Sequence, residues 1–470
     1  MFELDLSHAI LLVLCLIAAC GFEFVNGFHD TANAVATVIY TNSLKPWVAV
    51  ILSGTFNFLG VWFGGIGVAI GIVNLLPVES LVDQSVAHSL SMVMALLLSA
   101  IFWNLLTWYF GIPCSSSHTL IGSILGVGVA FSLIPGATEA AVNWTKATEI
   151  GLSLLISPLF GFSMTIILMF IIRNLTKKTT YGDSLFKEPK KNSPPPLWIR
   201  SILILTCTSV SFSHGSNDGQ KGVGLVMLIL IGIVPVYFAL QSSMNPSSIT
   251  VPLQRVEHIL SGIDGSVLSA PDRAKLENSR ELSNTLVTRV FGISTVDAIP
   301  KEDRFLVRKD IMILNRNVKD LLALSEVSIS EQARTEINGH LSSIRKITDY
   351  SPKWVILMIS VSLGLGTMIG WKRIVKTVGE KIGKEHLTYA QGASAEIVTA
   401  STIALSTSFG LPVSTTHVLS SGIAGSMVAS KGIKNLQADT VRNILIAWFL
   451  TLPVVMIMAG TMFLIFRSIL

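Results

Sequence analysis

The chain has 470 residues, 50% of them hydrophobic and only 13% charged, with a net charge of +5; a soluble domain carries roughly 25% charged residues. Mean hydropathy is +0.63, and stretches such as 47–73 and 88–110 exceed the ~20 apolar residues that cross a bilayer. These totals exclude a soluble enzyme, a nucleic-acid binder and a secreted disulfide scaffold, and leave a multi-span membrane protein.

In chain order, apolar segments fall near 8–27, 47–75, 88–110, 119–135, 150–172, 198–212, 222–240, 352–371, 390–409, 411–429 and 441–466. The opening MFELDLSHA carries Glu3 and Asp5 and no Lys or Arg, so the first segment reads as a retained span rather than a signal peptide. Cys15, Cys20, Cys114 and Cys207 lie in apolar segments without metal-type spacing and read as packing residues. Residues 173–200 hold Arg173, Lys177, Lys178, Lys187, Lys190, Lys191 and Arg200 with a Pro194–Pro196 run, a basic cytoplasmic linker. Residues 241–351 balance 14 Lys and Arg with 14 Asp and Glu. Phe305, Leu306, Ile311, Leu314, Val318, Leu321 and Leu322 recur there at helical spacing, which predicts a small helical extramembrane insert.

Two motifs occur twice. GIPCSSSHTLIGSILG at 111–126 pairs with GLPVSTTHVLSSGIAG at 410–425, and NGFHDTANAVA at 26–36 pairs with HGSNDGQKGVG at 214–224. The second pair aligns Asp30 with Asp218 and Asn33 with Lys221. From Asp30 to His118 is 88 positions and from Asp218 to His417 is 199; the excess of 111 is the length of 241–351. The chain therefore divides into a first repeat (1–172), the linker (173–200), the start of a second repeat (201–240), the insert (241–351) and the rest of that repeat (352–470).

Charge indicates that the copies are inverted. The acidic N-terminus reads as outside and 173–200 as inside, so the first half crosses an odd number of times. The loop at 77–87 has Glu79, Asp83 and no Lys or Arg, whereas its counterpart 371–386 has Lys372, Arg373, Lys376, Lys381 and Lys384. The same reasoning puts the insert outside.

Inverted repeats broken by glycine and proline at matching positions are a secondary-transporter pattern, with the site near the midplane. In each copy Gly-x-Pro stops one helix, and Ser115, Ser116 and Ser117, or Ser414, Thr415 and Thr416, stand where a short apolar helix starts. Two half-helix N-termini and six hydroxyls suit a tetrahedral oxyanion. Ionisable groups cost about 2.5–3.5 kcal/mol at the bilayer centre and usually line a cavity. Glu23, His29, Asp30, His214, Asp218, Lys221 and Glu396 all lie in or beside apolar segments. Asp30 and Asp218, at equivalent positions, are the candidates for cation coupling; His118 and His417 follow the hydroxyl clusters as relays or helix caps. His29 and Asp30 lack a matching His/Cys set, so no metal site and no cofactor is expected.

These motifs, Gly27-Phe28-His29-Asp30-Thr31-Ala32-Asn33, Gly215-Ser216-Asn217-Asp218 and the paired Pro-x-Ser-[Ser/Thr]-[Ser/Thr]-His, resemble the inorganic phosphate transporter (PiT) family and within it the bacterial low-affinity, Pit-type members. The resemblance implies an all-α polytopic inverted-repeat fold with two re-entrant hairpins, a homodimer in the bacterial inner membrane, and no enzyme activity. It implies phosphate at Ser115–Ser117 and Ser414–Thr416 and the coupling cation on the Asp/Asn motifs, Asp30, Asn33, Asn217 and Asp218; the residues themselves add Lys221 to the coupling set and His29, His118 and His417 as candidate proton relays. Phosphate would enter with protons, in some members as a neutral divalent-metal phosphate, with Na⁺ the alternative coupling ion. A sulfate permease on the same scaffold shares the tetrahedral guest. The departure is Lys221, where many Na⁺-coupled relatives repeat asparagine; its ammonium would fill a sodium ion's place.

Overall fold

Residues 4–75, 86–134, 142–190, 193–327 and 329–469 are described by a computed structural model. Most of the 77–87 loop used above for orientation, with Glu79 and Asp83, lies outside them, as does Lys191. Every named element among the described residues is helical, which agrees with the all-α expectation. The first half contains α1 (Leu6–Asp30), α2 (Ala32–Tyr40), α3 (Pro46–Phe63), α4 (Gly67–Val73), α5 (Val86–Tyr109), α6 (Ser116–Ser132), α7 (Trp144–Thr176) and α8 (Thr180–Leu185). After the linker come α9 (Leu197–His214), a π-helical turn (Gly215–Gly219), α10 (Gln220–Ile233) and α11 (Pro235–Phe238). Then follow α12 (Thr250–Ser261), α13 (Ala270–Val290), α14 (Lys301–Leu322), α15 (Glu331–Arg345), α16 (Lys353–Thr367), α17 (Lys372–Glu380), α18 (Tyr389–Ser408), α19 (Thr415–Lys431) and α20 (Ala438–Ile469).

Among the described residues, five helical stretches are long and apolar enough to cross a membrane: Leu6–Tyr40, Pro46–Phe63, Ser89–Tyr109, Trp144–Thr176 and Ala438–Ile469. The chain is a multi-pass membrane protein. Two expected segments differ from the sequence reading. The 47–75 stretch is two helices, because Gly65 at φ +80° turns the chain between α3 and α4. The 222–240 stretch breaks before Pro235, which cannot donate the amide that a continuing helix needs.

Contacts divide the chain into two compact units, Glu3–Ile229 with Ser351–Leu470, and Leu230–Tyr350. In the first, α6 lies along α20 and α19 along α7. Both packings need bare backbone: a Cβ on Gly126 would sit 2.2 Å from the Met456 carbonyl oxygen, and one on its repeat partner Gly425 2.4 Å from that of Phe162. In the second unit, α14 buries Phe305, Ile311, Leu314, Val318, Leu321 and Leu322, but Leu306 is 38% exposed. Leu306 sits beside Phe305, and the 3.6-residue period turns it outward.

The ends of that unit are stapled together. Gln241 N–H donates to the Ile347 carbonyl at 2.8 Å, and buried Arg308 donates to both Ala239 O at 3.1 Å and Thr348 O at 2.7 Å. Tyr350 Oη donates to Phe238 O at 3.1 Å, and burial pushes this phenol from its usual 10 up to about 12. A phenol raised on folding adds stability that is full below pH 10 and is lost as pH climbs toward 12. Tyr350→Phe should therefore be about 1 kcal/mol less stable than wild type at pH 8. That difference should vanish by pH 12, as paired thermal melts at the two pH values would show.

Candidate functional site

The two repeat motifs meet in the first unit, and each arrives through a helix irregularity. Asp30 closes α1 just before Thr31, whose hydroxyl donates to Gly27 O at 2.5 Å and to Thr367 O at 2.9 Å. Asp218 lies in the π-helical turn between α9 and α10, a local widening that often marks a functional site. Gly27 and Gly215, equivalent in the repeat, are both closely approached by another chain segment. A Cβ would lie 2.5 Å from Leu363 O in the first case and 2.1 Å from Asn57 O in the second.

The hydroxyl clusters are built alike. Gly111 and Gly410 both adopt φ +66°, a left-handed turn that ends α5 and α18 with little penalty only for glycine. Ser115 and Ser414 then cap α6 and α19, each hydroxyl accepting the amide N–H of the histidine three residues on. The caps leave Ser116, Ser117, Thr415 and Thr416 in the first helical turns, all buried.

These side chains converge on the aspartates. Ser116 Oγ donates to Asp30 Oδ2 at 2.8 Å and reaches Asp218 Oδ2 at 3.4 Å. Thr416 Oγ1 donates to Asp30 Oδ1 at 2.6 Å, and Thr415 Oγ1 to Asp218 Oδ1 at 3.3 Å. Asn33 Nδ2 bonds Thr416 Oγ1 at 2.9 Å and Asp30 Oδ1 at 3.2 Å. Lys221, its repeat partner, does the corresponding thing. Its ammonium bonds Ser117 Oγ, lies 2.8 Å from Asp218 Oδ1 and donates to Val413 O at 2.9 Å. Ser116–Asp30 thus matches Thr415–Asp218, and Asn33–Thr416 matches Lys221–Ser117.

Other expected residues lie at the edge. His29 is turned aside, with Nδ1 3.4 Å from Asp30 Oδ1 and Nε2 3.2 Å from Thr107 Oγ1. Asn217 contacts neither aspartate through its amide: Nδ2 donates to Thr407 Oγ1 and Leu411 O, and Oδ1 accepts from Val413 N–H. It holds the turn before α19. His118 and His417 lie with ring centroids 4.5 Å apart, and His417 stacks on Trp448 at 3.9 Å.

One residue that the sequence placed among the buried ionisable groups, without assigning it a role, is central. His214 Nε2 lies 3.6 Å from Asp30 Oδ2 and 3.7 Å from Asp218 Oδ2, while Nδ1 meets Asn57 Oδ1 at 2.9 Å. Asp30, His214 and Asp218 each place a ligand atom within 4.8 Å of the others, a donor set able to take a cation. No metal set was expected from His29 and Asp30; the convergence instead runs through His214. The signal was its position as the first residue of the second NGFHD-like motif, where the first copy has Asn26.

Residues 26–459 match the phosphate transporter family. The chain is 40% identical to the low-affinity inorganic phosphate transporter PitA of Escherichia coli K12, an alignment covering 98% of this chain and 97% of that one. With E. coli K12 PitB the identity is 38% at the same coverage. A probable low-affinity inorganic phosphate transporter of Bacillus subtilis 168 is 30% identical, over 95% of this chain and 94% of that one. A solved structure described as the sodium-dependent phosphate transporter shares the fold: TM-score 0.56 at 20% identity, covering 98% of this chain and all of that one.

Proposed function

The chain belongs to the phosphate transporter family, and from that premise we propose that it imports inorganic phosphate across a bacterial inner membrane by proton symport. It is a transporter, not an enzyme. The observation that carries the coupling is that Ser116, Thr415 and Thr416, which would hold phosphate, donate to Asp30 and Asp218.

Phosphate and the aspartates therefore compete for the same protons. An ionised Asp30 keeps Thr416 and Ser116 turned toward itself, and two carboxylates beside one ammonium leave a net negative charge that repels an anion. A cation arriving at Asp30 weakens its hold on those hydroxyls and cancels the charge. Phosphate then accepts from Ser116, Ser117, Thr415 and Thr416, with the backbone amides that open α6 and α19 completing its shell. Because these donors are neutral, the anion can be released when the cation leaves.

We read α6 and α19 as the re-entrant half-helices of an inverted repeat. Each has 17 residues, about 25 Å at 1.5 Å per residue, short of a ~30 Å bilayer core. The matched contact pairs described above support that reading. The homodimer is drawn from the resemblance.

Lys221 decides which cation is used. Its ammonium already occupies the Asp218 side, where the first copy has the neutral amide of Asn33, so only Asp30 remains to be neutralised from solution. Lys221→Asn is expected to make phosphate uptake into proteoliposomes respond to an imposed Na⁺ gradient. Uptake as indifferent to Na⁺ as in the wild type would refute this role.

A second reading is favoured by the convergence of Asp30, His214 and Asp218. A divalent cation entering as cargo with phosphate would find two oxygens and one nitrogen there, leaving its other positions for phosphate oxygens or water. Uptake that stops when a chelator removes divalent cations would favour it over proton coupling alone.

A further inference from the structure

Of the buried acids outside the centre, Glu23 and Glu396, one is tied to the site's charges. Glu23 is fully buried in α1. Its Oε2 accepts a single hydrogen bond from Asn26 Nδ2 at 3.1 Å, and its buried Oε1 has no hydrogen-bond partner. A Cβ on Gly222, the residue after Lys221, would sit 2.4 Å from Glu23 Cγ and 2.5 Å from Oε1, so the bare backbone there makes room for the carboxyl.

Lys221 and Asp218 lie on the segment whose Gly222 packs against the Glu23 carboxyl, and Asp30 lies two turns along Glu23's own helix. Lys221 is committed to Asp218, Ser117 and Val413. Cys20 lies one turn earlier on α1. The helices packed on α1 add little: α5 from 89 to 109 and α16 from 354 to 367 contain no Asp, Glu, Lys, Arg or His. The weaker neighbours α2 and α6 offer Tyr40 and His118. A carboxylate so placed is a buried charge with half its acceptors unmet, and a proton removes that penalty.

We infer that Glu23 takes up a second coupled proton, besides the one that neutralises Asp30, at a site separate from the Asp30–Asp218 centre. The inference rests on the proton-symport reading above. With Asp30, Asp218 and Lys221 charged, the centre and Glu23 together carry one net negative charge when Glu23 is protonated and two when it is ionised. Seven residues of helix put Glu23 about 10 Å from Asp30, a range at which one charge changes anion affinity by roughly tenfold inside protein. Proton binding at Glu23 and phosphate binding at the hydroxyls therefore favour one another, and the effect is reciprocal. Glu396 is the contrast. Its Oε2 accepts from Thr206 and Thr37 also hydrogen-bonds its carboxyl, so it is tied to threonines.

The test uses the full-length protein in proteoliposomes. Glu23→Gln should lose ΔpH-driven phosphate accumulation by at least about tenfold and show uptake that depends less steeply on pH than in the wild type. Phosphate–phosphate exchange, which needs no net proton movement, should persist. Glu396→Gln should accumulate phosphate as wild type does. Accumulation by Glu23→Gln at the wild-type level, or its loss in Glu396→Gln instead, would overturn the assignment. If Glu23→Gln does not reach the membrane, Glu23→Asp supplies the answer: a shifted pH profile supports the site, and an unshifted one overturns it. Wild-type protein that ignores ΔpH would instead refute the proton symport on which the inference rests.

Discussion

Asp30→Asn is expected to abolish net phosphate uptake, by at least about a hundredfold, while the protein still reaches the membrane. The carboxylate accepts from Thr416, Ser116 and Asn33, and bonds to a charged acceptor contribute about 1.5–3 kcal/mol each. An amide of the same shape keeps part of that network, because its oxygen still accepts, but it cannot take up a cation. The hydroxyls would then be free for phosphate without any coupled charge to drive or release it. Radiolabelled uptake set against the amount of variant in the membrane measures the loss. Retention of more than a tenth of wild-type uptake would remove Asp30 from the coupling step.

Ser116→Ala carries the next largest effect. Ser116 is the one hydroxyl of the six that reaches both carboxylates, Asp30 at 2.8 Å and Asp218 at 3.4 Å. Removing it would take away one of the donors proposed for phosphate and leave Asp30 Oδ2 with the more distant His214. One charge-assisted hydrogen bond lost to phosphate amounts to roughly 10- to 100-fold in affinity. Calorimetric titration of purified protein with phosphate should show that weakening, whereas Ser132→Ala, exposed at the far end of α6, should bind like wild type.

Much of this was legible in the residues. Uncharged runs gave the membrane class and most helix positions, because bilayer thickness fixes a length that hydropathy reads directly. Breaks inside apolar runs were harder: nothing in the hydropathy of 47–75 marks Gly65, whose effect is a single backbone angle. The two aspartates and six hydroxyls were found because they recur in register, and the structure does bring Asp30, Asp218, Ser116, Thr415 and Thr416 into contact. Residues without a like-for-like repeat partner escaped that logic. His214 aligns with Asn26, yet it lies between the aspartates. Asn217 aligns with His29 and looked like a cation ligand, but its amide is spent on the turn around Leu411 and Val413. A repeat identifies which positions are equivalent, and packing decides which way each side chain points.

What drives phosphate across the membrane separates proton coupling from its rivals. Radiolabelled phosphate uptake into proteoliposomes, with ΔpH and a Na⁺ gradient imposed separately and sulfate as competitor, measures it. Accumulation on ΔpH alone, indifferent to Na⁺ and little affected by sulfate, is the predicted result. Strict dependence on Na⁺ would contradict the coupling, and strong competition by sulfate would contradict the substrate.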